Sequence, residues 1–176
     1  YALHYPGNLR KLILLNSMPA STELWNREEM MLAERMTRSD SLARVEIIQS
    51  EAFRKFQPKA IEELLLLSFR NQFFDGSKVD SLDFYIPDDY MERSRKFRNL
   101  MVDLAAYDLH DQLSVVKTPT LLIYGSMEPA VEISAPRLQK ELPNSTLVIM
   151  DDTGHFPFVE KPDIFLQSVR AFLHQR

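Results

Sequence analysis

Three uninterrupted apolar runs stand out in a chain whose other apolar residues mostly recur every three or four positions. They are Leu12-Ile13-Leu14-Leu15 inside Arg10–Asn16, Leu121-Leu122-Ile123-Tyr124 after Thr120, and Leu147-Val148-Ile149-Met150 after Thr146. Short continuous runs of this kind, bounded by turn formers, predict strands buried on both faces. Pro119 precedes the second run and Gly125 ends it, while Asp151-Asp152 end the third. Ser134 to Leu142 reads as a helix, with Pro136 tolerated in its first turn. Pro162 opens a final helix whose Phe165, Val169, Phe172 and Leu173 fall at i, i+4, i+7 and i+8. Strand, helix, strand and helix joined by short loops predict an α/β fold, a parallel sheet covered by helices.

The stretch from 18 to 110 follows another pattern. Helical periodicity predicts helices over Glu23–Thr37 and Leu42–Phe56, and a third from Pro58 with Ile61, Leu64, Leu65, Ser68 and Phe69 on one face. Phe73–Ile86, with Gly76 and scattered Ser and Asp, reads as loop, and Pro87 starts a further helix rich in Arg and Lys. A helical insertion of this length between two strands is too long for a loop and reads as a cap. The expected organisation is therefore a core of 1–17 and 111–176 with a cap of 18–110. The opening Tyr1–Tyr5, stopped by Pro6-Gly7, reads as the last turn of a helix whose start lies upstream, so the chain is expected to be part of a longer protein.

Composition narrows the classes. Of 176 residues, 45% are apolar and 26% charged, as in ordinary globular domains. A formal charge of −4 gives no electrostatic reason to expect nucleic acid or an anionic membrane as partner. The longest notable apolar run besides the strands, Leu64–Leu67, is far short of the roughly 18–20 residues of a membrane span. The chain has no cysteine, which excludes disulfides, thiolate metal sites and a cysteine nucleophile, and suits a reducing, cytoplasmic setting.

Functional residues of parallel sheets collect where strands end at the carboxyl edge. The second run ends Tyr124-Gly125-Ser126-Met127-Glu128-Pro129, and the third ends Asp151-Asp152-Thr153-Gly154-His155-Phe156-Pro157. An acid three residues after a strand-ending Gly, then a Gly-His turn after the next strand, supplies two members of a catalytic triad: a carboxylate that fixes an imidazole tautomer, and the imidazole. His155 also reads as a turn histidine satisfied by backbone groups, and Asp151 or Asp152 as rival acids, although both read more simply as solvated turn residues. His4, His110 and His174 read as structural or surface residues. Arg93–Arg98 reads as a solvated helix face.

Pro119–Gly125 with Glu128-Pro129, and Gly154-His155-Phe156-Pro157-Phe158-Val159-Glu160-Lys161-Pro162, resemble the acid loop and histidine turn of α/β-hydrolase-fold enzymes. Tyr1–Leu15 is similar to the helix after that family's nucleophile and the strand that follows it. The resemblance implies the C-terminal portion of an α/β-hydrolase, three parallel strands with covering helices, plus the helical cap. It implies a serine hydrolase with His155 as general base and Glu128 orienting it. Two departures accompany it. The acid is Glu where Asp is commoner, and the Gly-x-Ser-x-Gly elbow is absent from residues 1–176, since Ser17, Ser126 and Ser134 lack its flanking glycines. The nucleophile and oxyanion hole are therefore expected from an upstream segment of the same protein, without which 1–176 should be inactive and marginally folded. No metal or organic cofactor is implied. The cap and the Gly-His-Phe-Pro-Phe-Val-Glu turn are similar to prolyl iminopeptidase-like hydrolases, which implies a proline-releasing aminopeptidase for a small-molecule or short-peptide substrate, with Glu23, Glu28, Glu29, Glu34 and Glu62 available in the cap to hold the substrate ammonium. The alternatives are a carboxylic-ester hydrolase on the same frame and a non-catalytic member of the fold. Trp25 and Phe69 are the candidate substrate-wall residues, against a reading as packing.

Overall fold

Strand β2, Thr120–Gly125, lies between β1, Leu12–Leu15, and β3, Ser145–Met150, in a sheet of order β1-β2-β3. Both pairings are parallel, with Leu12 opposite Thr120 and Thr120 opposite Ser145, so β2 and β3 end level at Gly125 and Met150. The computed structural model describes residues 1–175; the side chains of Leu100, Asp103 and Leu104 lie outside that description, as does residue 176 of the expected core.

Every residue of β2 is buried, as its continuous apolar run requires. Alternate side chains serve opposite faces of the sheet. Leu122 and Tyr124 join Leu113, Val116, Leu138 and Leu142 on one face. Leu121, Ile123 and Met150 meet Phe172 on the other, with Ile13, Val148, Phe165 and Val169 against them. The first face is covered by helix α6, Ala135–Glu141, and the second by helix α8, Pro162–His174. Short helix α7, Pro157–Glu160, precedes α8. The parallel sheet with helical cover matches the expected α/β class.

Between β1 and β2 the chain forms five helices: α1, Thr22–Glu34; α2, Arg38–Gln49; α3, Glu51–Arg54; α4, Pro58–Arg70; and α5, Tyr90–Leu100. The two ends of this excursion meet. Ser21 and Asp108 form an isolated antiparallel bridge, Thr22 N–H donates to the Tyr107 carbonyl at 2.9 Å, and Leu109 N–H donates to the Ala20 carbonyl at 2.8 Å. Boundaries differ from expectation where polar side chains cap. Thr37 and Asp40 form a reciprocal capping box, so α2 starts at Arg38 and not at Leu42. Ser50, with extended backbone and its hydroxyl accepting from Phe53 N–H, splits the expected Leu42–Phe56 helix into α2 and α3. Asp75 caps a 3₁₀ turn over Gly76–Ser81 within the expected loop. Helix α5 starts at Tyr90, not Pro87, and Tyr1–Tyr5 is a single turn closed by Tyr5 N–H on the Tyr1 carbonyl at 2.8 Å. Among the described residues, no helix is long and apolar enough to cross a membrane.

Lys11, just before β1, ties the far end of the chain to the sheet. Its ammonium donates to the carbonyls of Phe172, Leu173 and Gln175 at 2.6–2.8 Å and lies 5.3 Å from the Phe172 ring centre. A cation on the free carbonyls at a helix C-terminus satisfies acceptors and opposes the helix dipole. Lys11→Met should therefore lower unfolding stability by roughly 1 kcal/mol and fray the end of α8. Denaturant titration with amide exchange over 170–175 measures both, and unchanged exchange there would contradict the role given to Lys11.

Candidate active site

Glu128 and His155 each follow a strand at the carboxyl edge. After β2 the chain turns through Ser126 and Met127 to Glu128, whose N–H returns to the Gly125 carbonyl at 3.0 Å. After β3 it turns through Asp151–Gly154 to His155. The two loops are laced together: Ser126 N–H donates to the Met150 carbonyl at 2.9 Å and Met127 N–H to the Thr153 carbonyl at 3.0 Å. This lacing brings Glu128 Oε2 to 3.3 Å from His155 Nδ1. Glu128 is 7% exposed and the His155 ring 36%. The pair lies at contact distance but is not aligned as a hydrogen bond, since neither His155 Nδ1 nor Glu128 Oε1 has a hydrogen-bond partner among the described residues. Catalytic hydrogen bonds often tighten only when substrate is bound. With Nδ1 toward the carboxylate, Nε2 is the nitrogen left to exchange a proton.

Asp151 and Asp152, the rival acids, are exposed. Asp152 takes the left-handed backbone conformation with φ 49° and pairs with Lys161 at 3.2 Å. The tight turn thus rests on Asp152, whereas Gly154 serves close approach. A Cβ on Gly154 would fall 1.9 Å from the Gln72 carbonyl oxygen, and one on Gly125 would fall 2.1 Å from the Gly154 carbonyl oxygen. His155 N–H then donates to that same Gln72 carbonyl at 2.7 Å.

Two positioning residues were not identified from sequence. Asn16, at φ 39°, ends β1; its side-chain carbonyl accepts from Gly125 N–H at 3.0 Å and its amide donates to the His155 carbonyl at 2.8 Å. It joins the ends of β1 and β2 to the histidine turn. Glu160, 7% exposed at the end of α7, accepts from Gly154 N–H at 2.6 Å, Phe74 N–H at 2.8 Å and Asp75 N–H at 3.3 Å. It fastens the histidine turn to the chain leaving α4.

An aromatic series leads away from His155. The Phe156 ring stands edge-on to the imidazole at 5.2 Å, stacks on Phe73 at 4.7 Å and meets Phe69 edge-on at 5.3 Å. Phe69 in turn stacks on Phe84 at 5.7 Å, so the structure brings Phe69 into the site's apolar side. Trp25 is not brought there by any of these ring contacts: its indole N–H donates to Glu29 on the same helix at 3.3 Å. Among the described residues, no group of three or more His, Cys, Asp or Glu side chains converges as metal ligands do.

Behind Glu128 lies a second buried acid, Glu28 of α1. Burial pushes its carboxyl up to about 7; the Ser134 hydroxyl opposes the shift, and the negative charges of Glu128 and Glu29 add to it. Tyr124, fully buried in β2, shares a hydrogen bond with the Ser17 hydroxyl at 2.8 Å and is pushed up to about 12, chiefly by burial.

The strand order, the two laced loops and the acid–histidine pair define a hydrolase-type α/β frame. The chain belongs to the alpha/beta hydrolase fold family, whose sequence pattern matches residues 1–162. It is similar to monoacylglycerol lipase ABHD6 of Bos taurus, with 25% identity over 92% of this chain and 47% of that protein. A pimeloyl-[acyl-carrier protein] methyl ester esterase of Pectobacterium atrosepticum shares 41% identity over 37% of this chain and 26% of its own. Among solved structures, an alpha/beta fold family hydrolase from Bacillus anthracis superposes with TM-score 0.65 at 21% identity, over 98% of this chain and 61% of its own. The proline iminopeptidase of Mycobacterium smegmatis gives 0.61 at 20% identity, over 99% and 60%. These two are likenesses of fold. The chain spans about half the length of the curated relatives it matches from end to end.

Two measurements test the site's supports. Glu160→Ala leaves three backbone donors without their acceptor and should cost about 2–4 kcal/mol of unfolding stability, with the largest gain in amide exchange at Gly154 and Phe74. Equal exchange gains across the sheet would argue against a local tie. Glu28 also gives stability a pH slope. Its carboxyl ionises near 4.5 in the unfolded chain and near 7 in the fold, so the fold holds the extra proton between those values. This contribution is greatest below about 4.5, declines as pH rises toward 7 and is flat above it. Subtracting the Glu28→Gln stability curve from the wild-type curve should isolate that decline, and parallel curves would show that Glu28 ionises normally.

Proposed function

We propose that the protein containing this chain is a carboxylic-ester hydrolase for substrates with an apolar acyl group. His155 acts as general base and then general acid, and Glu128 orients it. The observation that carries the reading is the pair itself: a half-exposed imidazole 3.3 Å from a buried carboxylate, each at the end of a neighbouring parallel strand. Such a pair fixes a tautomer and stabilises the imidazolium formed when a hydroxyl nucleophile gives up its proton. The nucleophile and the donors that stabilise the oxyanion come from outside residues 1–176, which contain no Gly-x-Ser-x-Gly elbow.

The apolar side is supported by Phe156, Phe73 and Phe69, which extend from the edge of the imidazole. Relatives named as a monoacylglycerol lipase and a methyl ester esterase favour an ester over an amide. The expected proline-releasing aminopeptidase is less well supported. Its namesake among the solved structures shares the fold at 20% identity. Glu28, a buried acid beside Glu128, has its ionised form disfavoured by burial and by the negative charges around it, which weighs against a role in holding a substrate ammonium. We read 18–110 as the cap over the site.

The test uses the complete protein with p-nitrophenyl acetate, butyrate and octanoate beside proline p-nitroanilide. Ester turnover that improves with acyl length is expected. His155→Ala should lose roughly 10³-fold or more in kcat and Glu128→Ala roughly 10²–10⁴-fold. Phe69→Ala should reduce the preference for octanoate over acetate by several-fold while kcat for acetate is kept. Turnover of the proline amide without ester turnover would overturn the ester assignment, and full ester turnover by His155→Ala would overturn the site.

A further inference from the structure

We propose that Glu28 is a positioning residue for the His155–Glu128 pair, acting through the turn that carries Glu128, and that a negative charge on Glu28 disturbs the pair. The inference rests on the proposed function. Helix α1 holds the acid loop at two places. At its C-terminal end Arg35 donates to the carbonyl of Met127, one residue before Glu128. In its middle, Glu28 lies against the turn that runs from Glu128 through Pro129–Val131 to Ser134.

That turn is built around a polar gap. Ser134 stands at the N-cap of α6, where a serine hydroxyl normally accepts a backbone N–H, yet it makes no cap hydrogen bond. Its hydroxyl lies instead beside the Glu28 carboxyl. Glu28, Glu128 and Ser134 are 7%, 7% and 1% exposed. Glu28 Oε1, Ser134 Oγ and Glu128 Oε1 have no aligned hydrogen-bond partner among the described residues. Buried polar atoms without partners are costly, so a group that bridges this gap fixes the loop. A protonated Glu28 can both donate and accept there. An ionised one can only accept, and it adds a second negative charge behind Glu128.

The charged and titratable groups around Glu28 come from every side. Glu29 shares its helix, Glu128 belongs to the facing turn, Tyr124 comes from β2, and Tyr107 from the base of the helical excursion. Of these, Glu128 is the one that faces both Glu28 and His155. Burial pushes the Glu28 carboxyl up to about 7, and an ionised Glu28 sets a second negative charge against the turn that carries Glu128. The charge state of Glu28 thus reaches the pair through the turn that holds Glu128, without Glu28 touching substrate.

The experiment uses the complete protein and its best ester substrate. Glu28→Ala should lower kcat roughly tenfold through misplacement of the pair, with little change in KM. Glu28→Gln, which fills the gap without ionising, should recover most of that loss and shift the fall of the kcat profile near pH 7, where the wild-type Glu28 ionises, to higher pH. Thermal transitions are recorded alongside. If Glu28→Ala loses kcat only in proportion to folded protein and Glu28→Gln keeps the wild-type profile, Glu28 is structural and the inference is overturned. If Glu28→Ala does not fold, the Glu28→Gln profile decides alone, its shift supporting the inference and its coincidence with wild type overturning it. His155→Ala separates the two levels. Surviving turnover there defeats the ester-hydrolase site itself, whereas lost turnover with an unshifted Glu28→Gln profile defeats the role of Glu28 alone.

Discussion

Three loops pass so close behind His155 that their carbonyl oxygens occupy the places where side chains would begin. A Cβ at Gly125 would sit 2.1 Å from the Gly154 oxygen, and one at Gly154 would sit 1.9 Å from the Gln72 oxygen. Neither glycine takes a positive φ, so the requirement is space and not backbone handedness. Because the loops touch, their backbone groups bond one another, and the spacing of Glu128 from His155 follows from main-chain geometry more than from the two side chains. Asn16 and Glu160 complete that arrangement from either side by taking up amides the loops leave over.

The parts of the site carried by short-range pattern were legible in the sequence. His155 and Glu128 each follow an apolar run within a few residues, and the fold's parallel order follows from those runs and the helix between them. The supporting residues were not, because their partners are distant in the chain: Asn16 meets His155 across 139 positions and Glu160 meets Phe74 across 86. A signal for Glu28 did exist. It stands four residues after Leu24 on the buried face of α1, where a carboxyl interrupts an apolar stripe. Glu160 ends a four-residue helix in a Phe-Pro-Phe-Val setting, a similar anomaly. Helix ends were misplaced where Thr37 with Asp40, and Ser50, supplied caps that apolar periodicity does not register.

The three buried glutamates beside the strand ends differ in what surrounds them. Glu160 is surrounded by backbone donors, Glu128 faces an imidazole, and Glu28 faces a hydroxyl and another acid. Placing a carboxyl in a low-dielectric setting favours its neutral form unless donors or cations compensate. One side-chain type thus stands in three electrostatic settings beside the sheet edge, and in that of Glu28 burial pushes the carboxyl up.

The excursion from β1 to β2 leaves and returns through one gate, where Ser21 meets Asp108 and Ala20 meets Leu109. Strand register on either side is set by the sheet and by Asn16, not by the helices between. Apart from the contacts of α1, α4 and the chain after it with the loops, the excursion is mechanically a closed loop hung from a single neck. Such an arrangement lets evolution lengthen, shorten or exchange the helices while both strand ends keep their places. One frame can then carry different helical excursions, and a change among those helices need not move the acid or the imidazole.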